Sequence, residues 1–230
     1  MTDEIYDPKS KQSRDGKTGL PILDSAKASK NSWTNSIVSI VIVLLFPAIG
    51  AGLAYLIYLN GDTAKYDSRI NIAKTNRLEW LMASIIIFQL CVMWMNMYPM
   101  RFKEAIMDGP KAKNFRSNMF LYKLATDQTD TGPTIILREE GEAGRYNRAN
   151  RSIYHFIENV FGFVIALPLA FFLFPFPSFA LVGVHCVGRI VYQMGYTANG
   201  YGGHIPGFIL DTLAQRILGG LLIVAYWKAQ

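Results

Sequence analysis

The chain has 230 residues, 51% of them hydrophobic and 17% charged, with a formal net charge of +6 and a mean hydropathy of +0.18. Its apolar residues stand in long blocks rather than in the short periods of a soluble domain, which excludes an ordinary soluble globule. The basic residues are interleaved with acids and carry no aromatic-basic motif, so nucleic acid is excluded as a partner.

In chain order, residues 1–34 form a polar tail rich in Lys, Ser and Asp, expected to be disordered by composition. Asp3, Glu4 and Asp7 argue against an acid-poor transit peptide, and no secretory apolar region precedes residue 37. The block Ile37–Leu59 predicts a first transmembrane helix over 35–59, with Pro47 as a kink and Ala48 and Gly52 at small-xxx-small spacing. Trp80–Met100 carries no charge over 21 residues and predicts a second helix over 78–100. A long basic loop follows over 101–145.

Asn159–Val184 carries no charge over 26 residues, and Phe174-Pro175-Phe176-Pro177-Ser178 divides it. Prolines remove backbone donors and stop helices, so helices over 146–174 and 178–198 are expected on either side of a tight turn. Phe171, Phe172, Phe174 and Phe176 are expected to face lipid or the headgroup region. Tyr201-Gly202-Gly203-His204-Ile205-Pro206 breaks the chain again before a last helix over 206–228.

Lys and Arg number six in residues 1–34 and ten in 101–151, against four in 60–78. The bias puts the tail and the long loop on the cytosolic side, or in the matrix of a mitochondrion. Cys91 and Cys186 both fall in apolar helices, where they read as small buried hydrophobes rather than as a disulfide framework. No metal-ligand cluster is visible, and Asn150-Arg151-Ser152 fits a glycosylation pattern only on the wrong face.

The polar residues inside these blocks are periodic. Arg148, Arg151, His155 and Glu158 recur at 3, 4 and 3, and His185, Arg189, Tyr192 and Tyr196 at 4, 3 and 4. Each set occupies one helical face. Ionisable groups at membrane depth are costly unless they face a bundle interior or a wet cleft, so the two faces should meet. By spacing alone this is either a binding site or a structural ion-pair network, Arg189 with Glu158 for instance. Asp211 and Arg216 on the last helix could pair with the bundle interior, although plain packing contacts are the favoured reading of them.

The stretch NRANRSIYHFIEN at 147–159 resembles the NRANRAHxNxxEN signature of the MAPEG family, the membrane-associated proteins in eicosanoid and glutathione metabolism. GRIVYQMGY at 188–196 resembles that family's GRxxYxxGY, most like the microsomal glutathione transferase branch. The resemblance covers about 78–230. It implies an all-α integral membrane fold, a MAPEG-like four-helix bundle to which the helix over 35–59 is an addition, assembled as a homotrimer with glutathione between subunits. It also implies that Arg148, Arg151, His155, Glu158, Arg189, Tyr192 and Tyr196 line the glutathione site, and it offers Arg101 as a loose further match.

Three departures stand out. The family's asparagine is His155 here, the usual proline after Glu-Asn is absent, and residues 197–207 contain no Lys or Arg. In transferases of the family an arginine near that last point stabilises the thiolate, and His204 occupies the corresponding place. His204 and Tyr192 are therefore the catalytic candidates. The resemblance implies glutathione conjugation or peroxidase chemistry on lipophilic substrates, in endoplasmic reticulum or mitochondrial membrane. The alternative is a non-catalytic accessory subunit of a larger membrane complex, for example a mitochondrial one, docked through its tail, extra helix and long loop.

Overall fold

A computed structural model of the chain describes residues 4–7, 12–15, 25–106, 120–126 and 133–230. In order, its elements are strands β1 (Glu4–Asp7) and β2 (Gln12–Asp15), then helices α1 (Ser25–Asn60), α2 (Thr63–Thr75), α3 (Glu79–Met97) and α4 (Met100–Ile106). Strands β3 (Tyr122–Thr126) and β4 (Pro133–Leu137) follow, and helices α5 (Gly141–Leu173), α6 (Pro175–Asn199) and α7 (Ile205–Lys228) complete the chain. Each pair of strands is an antiparallel hairpin, with Glu4 opposite Asp15 and Tyr122 opposite Leu137.

The five expected helices are all present, but their ends differ. α1 begins at Ser25, about ten residues before the apolar block. Once a helix is nucleated each added turn is cheap, so good helix formers such as Lys27, Ala28 and Lys30 prolong it. The tail is therefore not wholly unstructured. It holds β1, β2 and the first turns of α1, while residues 1–3, 8–11 and 16–24 lie outside the described residues. The basic loop likewise contains α4 and the β3–β4 hairpin, with 107–119 and 127–132 outside the described residues.

Between α5 and α6 only Phe174 is non-helical, because Pro175 and Pro177 sit in the first turn of α6, where a missing N–H costs nothing. The Phe174 N–H donates to Ala170 O at 2.7 Å and the Ser178 N–H to Phe174 O at 3.0 Å, so one residue closes both helices. Phe172 is exposed as expected for a lipid-facing ring, whereas Phe171 is 1% exposed and belongs to the core. Neighbours on a helix point 100° apart, and here that step carries the chain from the core at Phe171 to the outer surface at Phe172.

Among the described residues, four helices are long and apolar enough to cross a membrane: Ser36–Asn60, Glu79–Phe102, Gly141–Leu173 and Ile205–Lys228. Their outward residues, such as Ile165, Phe172, Ile217 and Ile223, are apolar and exposed. α6 has the length, but His185, Arg189, Gln193 and Thr197 lower its apolarity, and all four are buried. Hydropathy undercounts such a helix because its polar groups never meet lipid.

The chain divides into two compact units, residues 1–39 with 96–151 and residues 40–95 with 152–230. In the first, the buried Asn147 of α5 accepts the Leu121 N–H at 2.8 Å and donates to Leu121 O and Arg138 O, both at 2.7 Å. That one amide ties both ends of the β3–β4 hairpin to the helix. Lys123 of β3 also bonds Glu140, and its ammonium holds the Glu140 carboxyl below the usual carboxylate range. This contact is kept at neutral pH and is lost only as acid protonates Glu140.

The second unit has a core drawn from four helices: Cys91 and Met95 of α3, Phe156, Phe163, Ala170 and Phe171 of α5, Val182 and Cys186 of α6, and Leu218 of α7. Both cysteines are buried and unbridged, and Cys91 Sγ lies 3.7 Å from Cys186 O. α6 and α7 approach closely at Gly188 and Gly207. A Cβ on Gly207 would lie 2.1 Å from Tyr192 N, and one on Gly188 2.6 Å from Asp211 N. Gly207→Val should accordingly cost at least about 2 kcal/mol, while Gly219→Val, with nothing within 4 Å, should be near neutral. Thermal unfolding of both variants in detergent checks this contrast.

Candidate functional site

The close crossing of α6 and α7 places Asp211 of α7 beside His185 and Arg189 of α6. Arg189 is 0% exposed, and its guanidinium is engaged on several sides. Nη1 lies 3.1 Å from Asp211 Oδ2 and 3.2 Å from His155 Nδ1, while Nη2 donates to Ser152 O at 2.9 Å. Its faces meet the rings of Phe156 at 5.2 Å and Tyr192 at 4.7 Å. The second oxygen of Asp211 accepts from Gln215 Nε2 at 2.9 Å. His185 Nδ1 stands 2.6 Å from that same oxygen, within ion-pair range but off hydrogen-bond alignment, and Phe163 stacks on its ring at 4.3 Å.

Of the polar face read on α5, His155 is the residue that meets Arg189, which takes Asp211 as its acid and not Glu158. The reason lies in the phase of α5. Ser152, Phe156 and Phe163 point inward and are buried, and Glu158 stands two residues past Phe156, about 200° around the helix. Glu158 is exposed. Asp211, read from the sequence as a packing contact, is the network's central acid, whereas Arg216 is exposed.

A second cluster joins this one. His155 stacks on Tyr192 at 5.1 Å with 12° between the ring planes, and Tyr192 lies 5.1 Å from His204. Tyr196 and Tyr201 flank His204 at 5.6 and 5.3 Å, and Phe208 closes the group at 6.3 Å. The turn before α7 makes this possible. Gly202 has φ 97°, which a side chain rarely adopts, and Gly203 lies so close to α6 that its Cβ would be 2.4 Å from Gly195 O. The turn therefore folds back on the last coils of α6 and delivers His204 to Tyr192 and Tyr196.

Of the sequence-derived candidates, His155, Arg189, Tyr192, Tyr196 and His204 come together. Arg148 and Arg151 belong to the other unit. There Arg148 Nη1 donates to Glu139 O at 2.7 Å, and Arg151 is exposed. Asn150 is fully buried, which removes it as a glycosylation acceptor. Arg101 lies over Tyr98 and Phe102 at 5.3 and 5.1 Å within the same unit.

Sequence reasoning missed Gln193, whose Nε2 donates to Met95 O at 3.0 Å, and Thr197. The signal was there: His185, Arg189, Gln193 and Thr197 follow one another at intervals of four, and all are at most 1% exposed.

The network yields a stability prediction. Asp211→Ala strands the Arg189 charge inside the bundle and should cost about 3–5 kcal/mol. Combining Arg189→Met with Asp211→Leu removes both charges and should recover most of that loss. Unfolding of the single and double variants in detergent tests the coupling.

Comparison with curated proteins finds no match, and comparison with solved structures finds none. A family model does match, over residues 80–224, which is more than half of the chain and takes in the bundle core, both motifs and the cluster around His204. α1 lies outside the matched residues. By this match, and by its apolar helices, the chain is an integral membrane protein that belongs to the MAPEG family.

Proposed function

We propose that this chain is a glutathione-dependent enzyme of the microsomal transferase type, with His204 standing where a thiolate-stabilising cation is expected. The observation that carries the reading is the gathering of His204, Tyr192 and Tyr196 within one aromatic cluster at the α6–α7 turn. A thiol of pKa about 8.5 is mostly protonated at neutral pH and needs a base or a cation to become a nucleophile. In this reading the His204 imidazole takes the proton of the glutathione S–H, leaving the electron pair on sulfur. The Tyr192 hydroxyl donates a hydrogen bond to the thiolate. The sulfur then attacks an electrophilic carbon of a lipophilic substrate. The new S–C bond forms as the bond to the leaving group breaks, and the leaving group departs with the electron pair and receives the proton from His204.

The family resemblance assigns the charged ends of the tripeptide to Arg151 and Glu158, with Arg148 as an additional basic position, and the assembly to a homotrimer. Arg189 is occupied by Asp211 and Ser152, so we give it a supporting role rather than a ligand contact. The setting is the bilayer of the endoplasmic reticulum or of a mitochondrion, from which the lipophilic substrate arrives.

A second reading, a non-catalytic accessory subunit of a larger membrane complex, is favoured by the absence of Lys and Arg from residues 197–207. The two separate cleanly. Under the first, purified protein binds glutathione at millimolar concentration and shows thiolate absorbance. His204→Ala then lowers the conjugation rate about 100-fold, and His204→Arg restores or exceeds it. Absence of glutathione binding, together with other subunits copurifying in place of a homotrimer, overturns the first reading in favour of the second.

A further inference from the structure

α2 (Thr63–Thr75) links two membrane spans, Ser36–Asn60 and Glu79–Phe102, so both of its ends are held at one surface of the bilayer. Asp62 caps it, accepting the Lys65 N–H at 3.1 Å. A helix of 13 residues is marginal in water, and none of its residues is buried. The core of the protein therefore does not account for this helix, whereas a surface against which it lies would.

Its rotation is set by the last turn of α1. The Tyr58 hydroxyl donates to Asp67 Oδ1 at 2.7 Å, and the Tyr66 ring lies 6.2 Å from that of Tyr58, which in turn stacks on Tyr55. Tyrosines at the end of a span mark the headgroup level, so the face of α2 held by Tyr58 is turned toward the bilayer. At about 100° per residue, Ile70 and Lys74 lie within about 30° of the direction midway between Tyr66 and Asp67. Arg69 stands on the opposite flank of Ile70 from Lys74, and Lys65 is on the far side of the helix. Ile70 is 52% exposed although it shares the inner face with the half-buried Tyr66 and Ala73. Arg77 is taken by Glu79 at 2.9 Å and Asp67 by Tyr58, which leaves Arg69 and Lys74 without an acid among the described residues.

We propose that α2 lies in the headgroup layer and is a binding site for anionic phospholipid, with Ile70 entering the interface and Arg69 and Lys74 taking headgroup phosphate on either side of it. An apolar side chain between two cations is the pattern of a helix lying in the membrane plane. A guanidinium meets phosphate with two parallel N–H donors, and a lysine stem lies along apolar surface while its ammonium reaches the headgroup. α2 precedes the residues shared with the family, so this site belongs to the part of the chain that carries α1 and is independent of the glutathione reading.

The test uses the full-length chain in phosphatidylcholine nanodiscs with a trace of photoreactive phosphatidylglycerol or photoreactive phosphatidylcholine, the reactive group standing near the headgroup. Labelled peptides are then located by mass. Each basic residue near the surface is worth about fivefold toward anionic lipid, so the phosphatidylglycerol probe should label α2 at least about tenfold more than its phosphatidylcholine counterpart. Arg69→Gln combined with Lys74→Gln should bring the two probes within about twofold, whereas Lys65→Gln, equal in charge lost but on the far side, should leave the preference in place. Unlabelled phosphatidylglycerol should compete and inorganic phosphate should not. All three side chains are exposed, and unchanged thermal unfolding in detergent shows that the variants fold. Equal labelling of α2 by the two probes overturns the proposal, as does a preference that survives the double substitution or is lost equally with Lys65→Gln. Competition by inorganic phosphate makes α2 a site for the free anion and overturns the lipid assignment.

Discussion

A guanidinium stays charged in a protein, so an arginine buried in an apolar bundle has to be compensated where it lies. Arg189 is completely buried, and what compensates it is spread over two other helices: Asp211 on α7, and Ser152 O and His155 on α5. Much of the second unit follows from that requirement. α6 and α7 have to approach until the Asp211 carboxylate reaches Arg189, and the glycines at 188 and 207 are what permit it. The aromatic rings of Phe156 and Tyr192 then fill the remaining sides of the charge.

The same arrangement connects the buried charge to the proposed chemistry. Arg189 fixes His155, His155 stacks on Tyr192, and Tyr192 touches His204 at the start of α7. Arg189 and Tyr192 in that series are buried, and His155 and His204 are half-buried. A family position read as ligand-binding thus serves here as an internal support. Its occupation by Asp211 is compatible with binding only if other groups meet the ligand, which is why the proposal places proton transfer on His204.

The helices were legible in the sequence because apolar blocks and proline breaks act locally. That Arg189 is answered inside the bundle was legible for a related reason, since an uncompensated charge is not tolerated at membrane depth. What was not legible was which acid answers which base. Glu158 and Asp211 both have sequence credentials as the partner of Arg189, and only the rotation of α5 and the crossing of α6 with α7 decides between them. Phe171 was misassigned to lipid because composition carries no phase. The extension of α1 to Ser25 and the hairpin held by Asn147 were missed because both arise in polar sequence, where hydropathy is silent.

The central claim is that Arg189 belongs to the bundle and that ligand is received by the cluster around His204. Its most direct test is an experimentally determined structure of the purified chain with glutathione bound. The account predicts that Arg189 stays on Asp211 and Ser152 O and that the sulfur lies against His204 and Tyr192. An Arg189 that leaves Asp211 to grip a glutathione carboxylate would contradict it.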